Sequence, residues 1–499
     1  MSRINNNINS LIAQRVLGSQ NTGLSKSLER LSTGLAINRG ADNPAGLIAS
    51  EKLRSEKVAT QAAIGNAQRA DQISNIAEGG LQEINSQLLE LQSLVSETAN
   101  SAGLSTAEKE ANQQQVDAIL QSIDRIASTT SFAGTKLLNG AYDFVVSGQS
   151  ASVADFQVNG AKITHDGSVA IKALVTASAQ HAGLFLSTGA TALNLSASTA
   201  KFTFEVTGAQ GTREFSFASG TNLSAVAANI NSFKSITGVS AKSSANGIVL
   251  KTEGFGSDQF VSFKVTNNGG QLGSVFGLAT TNENASLAAG GTAYIGMTNA
   301  IRDEGQDIGV IVNGISARGK GKVASVNTDA LDLSLELTTT ASQTLANVSA
   351  FTITGGGATF NIGQTVDVGN QVRLGIRNVA ARNLGSTSQG FLGDLGSGKT
   401  YNLIDGNLES SQKIVNQAID QVSALRGRLG SFQKNVIGST INALSIALEN
   451  TSAAESSIRD TDFAKETANL TRNQILAAAA SNVLSIANSQ PQSVLQLLG

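Results

Sequence analysis

From Ala77 the apolar residues step by four and three through Leu81, Ile84, Leu88, Leu91 and Val95, and the rhythm resumes at Val116, Ile119, Ile123 and Ile126. Such a stripe predicts amphipathic helices that bury one face against other helices. Between the two runs, Asn100-Ser101-Ala102-Gly103-Leu104 has turn composition, and Ser105 with Glu108 forms a capping box that restarts a helix. A long helix, a turn and an antiparallel second helix are therefore expected. A third helix follows on Val415, Ala418, Val422, Leu425, Leu429, Phe432 and Val436, and a second stripe, Ile437, Ile441, Leu444 and Leu448, continues it on a shifted phase. Gly79-Gly80 falls inside the first stripe and weakens it, so that either a neighbouring backbone comes close there or the helix bends.

The middle of the chain follows another pattern. Residues 201–206 and 213–217 alternate as strands, 223–231 reads as a short helix, and 247–251 and 260–265 read as two more strands, with a fainter echo at 351–354. Composition changes with the pattern. Fifteen of the eighteen phenylalanines lie from Phe144 to Phe391, whereas the flanks are rich in Leu, Ile, Ala, Gln, Ser and Glu and hold one proline each, Pro44 and Pro491. The fold class expected is α+β and multidomain: a long antiparallel α-helical coiled-coil core built from both chain ends, with a β-rich outer domain inserted between them.

The extreme ends form a third class. Leu17, Leu24 and Leu31 are seven apart, with Leu28 and Leu35 four beyond the last two; near the finish Phe463, Leu470, Ala477 and Leu484 are also seven apart, before Val494-Leu495-Gln496-Leu497-Leu498. Each end is one amphipathic helix. Two such helices paired only with each other leave apolar surface wet, and such surface marks an interaction site. The economical solution is burial against copies of the same chain, and a head-to-tail contact that does not close makes a helical filament.

Charge and candidate chemistry mostly exclude. The 35 Lys+Arg balance 37 Asp+Glu, which invites neither nucleic acid nor an anionic membrane. Without cysteine there are no disulfides, thiolate zinc sites or cysteine nucleophiles, and the two histidines, His165 and His181, lack metal-ligand spacing. The start shows no apolar signal region, and the most apolar stretch, 475–487, is too short and too polar to span a bilayer, which takes about 20 apolar residues. Gly393-Asp394-Leu395-Gly396-Ser397-Gly398-Lys399-Thr400 matches the P-loop pattern, but loop composition precedes it and a turn follows, where a P-loop needs a strand and a helix. It reads as a glycine-rich return from the middle to the last core helix, and an ATPase or GTPase is the weaker reading. Asp460 and Asp462 precede an apolar helix and read as caps, not as an acid–base pair. No catalytic residue, metal or cofactor is expected.

Both ends resemble flagellin. The N-terminal match runs through Leu28-Glu29-Arg30-Leu31-Ser32-Thr33-Gly34-Leu35, Ile37-Asn38 and Asp42-Asn43-Pro44-Ala45-Gly46. The C-terminal match runs through Ile458-Arg459-Asp460-Thr461-Asp462-Phe463-Ala464-Lys465-Glu466, Asn469-Leu470-Thr471-Arg472, Gln474-Ile475-Leu476 and the closing Gln490-Pro491-Gln492-Ser493-Val494-Leu495-Gln496-Leu497-Leu498. Ala36 departs from the family, where an arginine is frequent, and implies a lost local contact. The strand–helix–strand segment at 201–266 is similar to the small insertion of flagellins and hook-associated proteins.

The resemblance implies a structural, non-enzymatic subunit that polymerises into the bacterial flagellar filament for motility. The alternative is a hook-associated junction or cap protein, and a β-rich middle that acts as an adhesin is compatible with either. The implied layout is an inner-core helix and spoke at 1–45, outer-core helices at 46–140, a surface-exposed outer region at 141–400, an outer-core helix at 401–455 and an inner-core helix at 456–499. Self-assembly falls to Ile4, Ile8, Leu11, Leu17, Leu24, Leu28, Leu31, Phe463, Leu470, Leu484, Val494, Leu495 and Leu498. Implied partners are copies of the chain, the flagellar cap and hook-associated proteins, and the type III export apparatus with its chaperone. That route reads no cleavable signal and delivers the protein outside the cell.

Many flagellins are also sensed by a Toll-like receptor through a segment similar to Leu88-Leu89-Glu90-Leu91-Gln92-Ser93-Leu94-Val95. Leu94 keeps the family residue, but Glu90 stands where sensed flagellins have arginine. A carboxylate cannot make the bidentate bonds of a guanidinium and repels the same acceptors, and truncating one buried interfacial charge already costs about 2–5 kcal/mol. Monomer is therefore predicted to activate the receptor weakly, and Glu90→Arg to recover part of the signal in a reporter-cell assay. Potent activation by the unmodified monomer refutes the role given to Glu90.

Overall fold

The structure, a computed structural model, describes the chain except residues 1–5, 101–102, 165–166, 198, 245, 279–289 and 499, with side chains as far as residue 490. Nine α-helices are found among the described residues. α1 (Ile8–Thr33) is capped by the Asn7 side chain, which accepts from the Ser10 N–H at 3.1 Å, and ends at Gly34 in the left-handed region (φ 74°). α2 (Pro44–Thr98) opens on proline, whose missing N–H costs nothing at a first helical position. α3 (Thr106–Thr129) begins with the predicted Ser105–Glu108 capping box. α4 (Leu223–Asn231), α5 (Lys234–Thr237) and α6 (Thr339–Gln343) are short elements of the β-rich middle. α7 (Leu408–Ser431) continues through a π-helical segment, Phe432–Gly438, into α8 (Ser439–Arg459), and α9 (Phe463–Leu498) closes the chain.

The chain divides into two compact units. The larger comprises Gln72–Phe360 and Gln371–Ser431. Here the predicted heptads are the core: Ala77, Leu81, Ile84, Leu88 and Leu91 of α2, Val116 and Ile123 of α3, and Ile414, Val415, Ala418, Val422 and Leu429 of α7 are all fully buried. The shared register is antiparallel. Glu78 meets Arg426 at 2.8 Å, Gln92 donates to Asn416 at 2.9 Å and Ser96 to Gln412 at 3.4 Å, while Asn112 of α3 donates to Thr98 of α2 at 3.1 Å across the turn.

Among the described residues, the four larger sheets of the β-rich middle of this unit are antiparallel and enclose two apolar cores. The first lies between the sheet of strands 144–147, 169–177, 309–312, 315–316 and 347–356 and the sheet of 153–161, 318–320, 323–327 and 331–337. The second lies between the sheet of 183–187, 239–244, 247–252, 274–277 and 292–293 and the sheet of 201–208, 211–218, 260–267 and 301–304, with Val226 and Ile230 of α4 packed in. Each strand predicted between 201 and 265 is present. Strand 239–244 was not predicted because its sequence, Val239-Ser240-Ala241-Lys242-Ser243-Ser244, is small and polar; it exists through hairpin pairing with 247–252.

The return from the β-rich middle to α7 is clamped by side-chain amides. Buried Gln113 donates to the Leu395 carbonyl at 2.9 Å and accepts from the Leu403 N–H at 2.7 Å, and Gln421 both donates to the Gly385 carbonyl at 2.7 Å and accepts from its N–H at 2.9 Å. These bonds tie the backbone at Gly385, at the end of the 3₁₀ turn Leu392–Leu395 and at Leu403 to helices α3 and α7.

The phase shift of the late helix has a local cause. It falls on Phe432–Gly438, where a π-turn admits an extra residue, so Phe432 and Ile437, five apart, are both buried. The Gly79-Gly80 question also resolves. α2 runs through the pair, and side chains, not backbone, approach it: a Cβ on Gly80 would lie 2.8 Å from both Leu138 Cδ1 and Thr130 Oγ1, whereas nothing lies within 4 Å of one on Gly79. Gly79→Ala is predicted to stabilise by up to about 1 kcal/mol through helix propensity. Gly80→Ala is predicted to destabilise, since overpacking of about 1–3 kcal/mol exceeds that gain. Thermal unfolding of the two variants should move in opposite directions.

Candidate functional site

The second unit comprises the residues up to Asp71, Asn361–Asn370 and everything from Phe432. Its defining element is the pairing of α1 with α9. Polar rungs set an antiparallel register: Asn7 donates to the Ala487 carbonyl at 2.7 Å, Ser10 to Asn488 at 2.7 Å and Asn473 to Ser27 at 3.2 Å, and Arg30 lies 3.8 Å from Glu466. Where the chain leaves α1, Leu35 forms a β-bridge with Asp460, Ala36 donates to the Arg459 carbonyl at 2.7 Å, and Thr461 donates to the Gly34 carbonyl at 2.9 Å. Thus Ala36, whatever its side chain lacks, is held through its backbone. Asp462 caps α9 as predicted, accepting from Ala464 at 3.0 Å and Lys465 at 3.1 Å. Two backbone N–H groups, those of Arg39 and Asn38, hold the Asp42 carboxyl below its usual range, the Arg39 bond being the stronger influence, and fix the loop between α1 and α2.

What the α1/α9 seam buries is small or polar. The buried residues of α1 are Ser10, Ala13 and Ser27, and those of α9 include Glu466, Ala480 and Ala487. Glu466, Asn473, Ala480 and Ala487 are seven apart, so the seam is a heptad. It lies three residues out of phase with the apolar row Phe463, Leu470, Ala477 and Leu484. Of the residues expected to drive assembly, Leu17, Leu24, Leu31, Leu470 and Leu484 are half-buried beside the seam, while Ile8, Leu11, Leu28 and Phe463 are exposed. Ile4 lies outside the described residues, as do the side chains of Val494, Leu495 and Leu498 in α9.

Six further large side chains share the exposed surface: Ile12, Val16, Ile475, Leu476, Val483 and Ile486. With Ile8, Leu11, Leu28 and Phe463 they are between 39 and 64 % exposed. Ile12, Val16, Leu476, Val483 and Ile486 line a groove of about 490 Å³ along the pair. The four-residue steps Ile8–Ile12–Val16 and Ile475–Ala479–Val483 were the available signal for this second apolar row. The first part of α2 and α8 repeat the theme: Lys57 pairs with Glu455 at 3.1 Å and Arg459 with Glu51 at 2.9 Å, Ala63, Ala67 and Ala70 are buried, and Ile48, Val58 and Ile446 are exposed.

Comparison with known proteins matches both helical ends to one family. The model of the bacterial flagellin N-terminal helical region matches residues 4–143, that of the C-terminal helical region matches 412–498, and the flagellin hook IN motif matches 201–254. The chain belongs to the bacterial flagellins. Polar flagellin B/D of Vibrio parahaemolyticus is 26 % identical over 507 residues, covering 99 % of each chain, and flagellin A of Helicobacter pylori is 28 % identical over 532 residues, again 99 % of each. The solved structure of FlgL from Xanthomonas campestris aligns at 13 % identity over 80 % of this chain and 98 % of its own, with a TM-score of 0.28. As a flagellin the chain is a structural subunit that polymerises with copies of itself into the bacterial flagellar filament, an extracellular assembly, and no described helix is long and apolar enough to cross a membrane.

His181 and the P-loop look-alike have structural partners. Among the described residues no cluster of acidic or histidine side chains could hold a metal; His181 contacts the Gly254 carbonyl at 3.0 Å and stacks on Phe255, and His165 lies outside the described residues. The P-loop look-alike opens no helix. Its first turn is a 3₁₀ segment, Leu392–Leu395, and the next helix waits until Leu408. Its Ser397 N–H donates to Asp117 at 2.9 Å, and the Ser397 hydroxyl donates to the same carboxylate. A carboxylate therefore stands where a P-loop would hold phosphate. Glu90 is exposed on α2, while Leu94 is buried. Lys399 is exposed, and Lys399→Ala is predicted to leave filament formation and motility unchanged. A magnesium-dependent nucleotide affinity, measured by calorimetry and lost in that variant, refutes the assignment.

Proposed function

We propose that the α1/α9 pair is the surface through which subunits bury themselves in one another, as the inner layer of the polymer. The observation that carries this is the inverted burial of the pair: small residues inside, ten large apolar side chains outside. Fully burying such a side chain contributes about 1.5–3 kcal/mol, so completing the burial of ten half-exposed ones supplies ample driving force for assembly. On this reading α2, α3, α7 and α8 form the next layer and the two β cores project outward. The subunit leaves the cell through the type III export apparatus, attended by a chaperone, and meets the cap and hook-associated proteins at the filament ends. It carries no catalysis. Export as an extended chain suits a sequence without cysteine, and the end helices gain their full burial only when neighbours arrive.

Deleting residues 460–499 is predicted to give a soluble monomer that does not polymerise, with the helical signal of the remaining core retained in circular dichroism. Leu484→Asp places a charge at the edge of the seam, where burial by a neighbour would leave it unpaired; it should raise the critical concentration about tenfold or more. Filaments of normal yield from the truncated chain refute the assignment.

A further inference from the structure

We propose a second contact between copies of this chain, in which an acidic stripe on α2 docks into an arginine-lined cleft beside α3 of the next copy. It rests on the polymeric reading above but uses none of the α1/α9 surface. Glu83, Glu90 and Glu97 are seven residues apart and all exposed, so they form one row along α2. Glu83 accepts only from the neutral Gln87 amide at 3.3 Å, and no ion pair to any of the three is formed among the described residues. Three like charges in a row on one face, without cations interspersed, gain no ion pair within the monomer.

The cleft has the opposite character. It encloses about 370 Å³ between the end of α3 and the return strand of chain, and Arg125 and Arg382 line it together with Asn139, Asn378 and Ser128. Arg125 donates only to the Ser122 hydroxyl at 3.4 Å and Arg382 to the Asn383 amide at 3.3 Å. The one carboxylate in the cleft, Asp124, is engaged by the Ala381 N–H at 2.8 Å, so two guanidinium groups face one carboxylate. Two guanidinium forks and two amides make a receptor for carboxylates. The chain's own exposed, unpaired carboxylate row is the complementary ligand, and its partner is therefore a second copy. Stripe and cleft are different surfaces, and in the polymer on which this proposal rests they pair head-to-tail, the type of contact that propagates into an open helical assembly. Glu90 thus has a positive role in assembly.

The test uses full-length protein carrying E83R/E90R/E97R, R125E/R382E, or all five substitutions, with critical concentration read by seeded elongation. Circular dichroism and melting show that each variant folds; the single changes E90R and R125E serve if a multiple variant does not. Each set alone should raise the critical concentration about tenfold or more, because like charges then meet, and the combination should return it to within about threefold of the parent. Combined substitutions that polymerise no better than either set alone overturn the pairing, as does an unchanged critical concentration for either set. Leu484→Asp leaves all five charges in place, so its outcome judges the α1/α9 reading separately.

Discussion

The structure turns on how closely α1 and α9 approach. Ser10, Ala13, Ser27, Ala480 and Ala487 are small enough to let the helices meet along polar rungs, and no leucine or isoleucine is among the buried residues of the described seam. The large side chains are displaced to the flanks, where one chain has nothing to cover them. A conventional heptad with leucines inside would have satisfied the pair and left it inert. Small-residue packing gives up part of the intramolecular burial and holds a rigid apolar surface in readiness for other copies.

The larger unit obeys the opposite rule. Leu81, Ile84, Leu88 and Leu91 are fully buried, the return segment is clamped by Gln113 and Gln421, and both β cores close within the chain. This part buries its large apolar residues within the chain itself. The change of rule is sharp along the late helix: the heptad of α7 is fully buried, the π-segment shifts the phase, and α8 beyond it buries no residue at all.

This contrast explains what was legible in the sequence. Large apolar residues at heptad spacing announced α2, α3 and α7 because their own burial makes the period visible. The capping box at Ser105 and the Asp462 cap were equally plain, since each is a local hydrogen-bond pattern fixed by a few neighbours. The α1/α9 seam was not legible in the same way. Its heptad, Glu466–Asn473–Ala480–Ala487, is written in residues that ordinarily signal a solvent face, and the apolar row drew the eye three residues away. Strand 239–244 stayed hidden for a related reason: pairing with 247–252, not its own hydrophobicity, makes it a strand. The Arg125/Arg382 cleft joins residues about 260 positions apart and had no sequence signal.

Apolar burial is strong but indifferent to register. A face built from Ile8, Ile12, Val16, Val483 and Ile486 would adhere in many sliding positions if it acted alone. Polar groups discriminate, because a shift by one residue leaves a buried donor unpaired or sets like charges together. The rungs within the α1/α9 pair fix its internal register in this way, and a charged contact displaced onto α2 and α3 would fix the register between copies. Separating the two tasks has a physical advantage. The apolar surface stays free of buried charge, whose desolvation would cost several kcal/mol per ion, while the discriminating charges sit on exposed faces of the self-sufficient unit, where they remain hydrated until a correctly placed neighbour arrives.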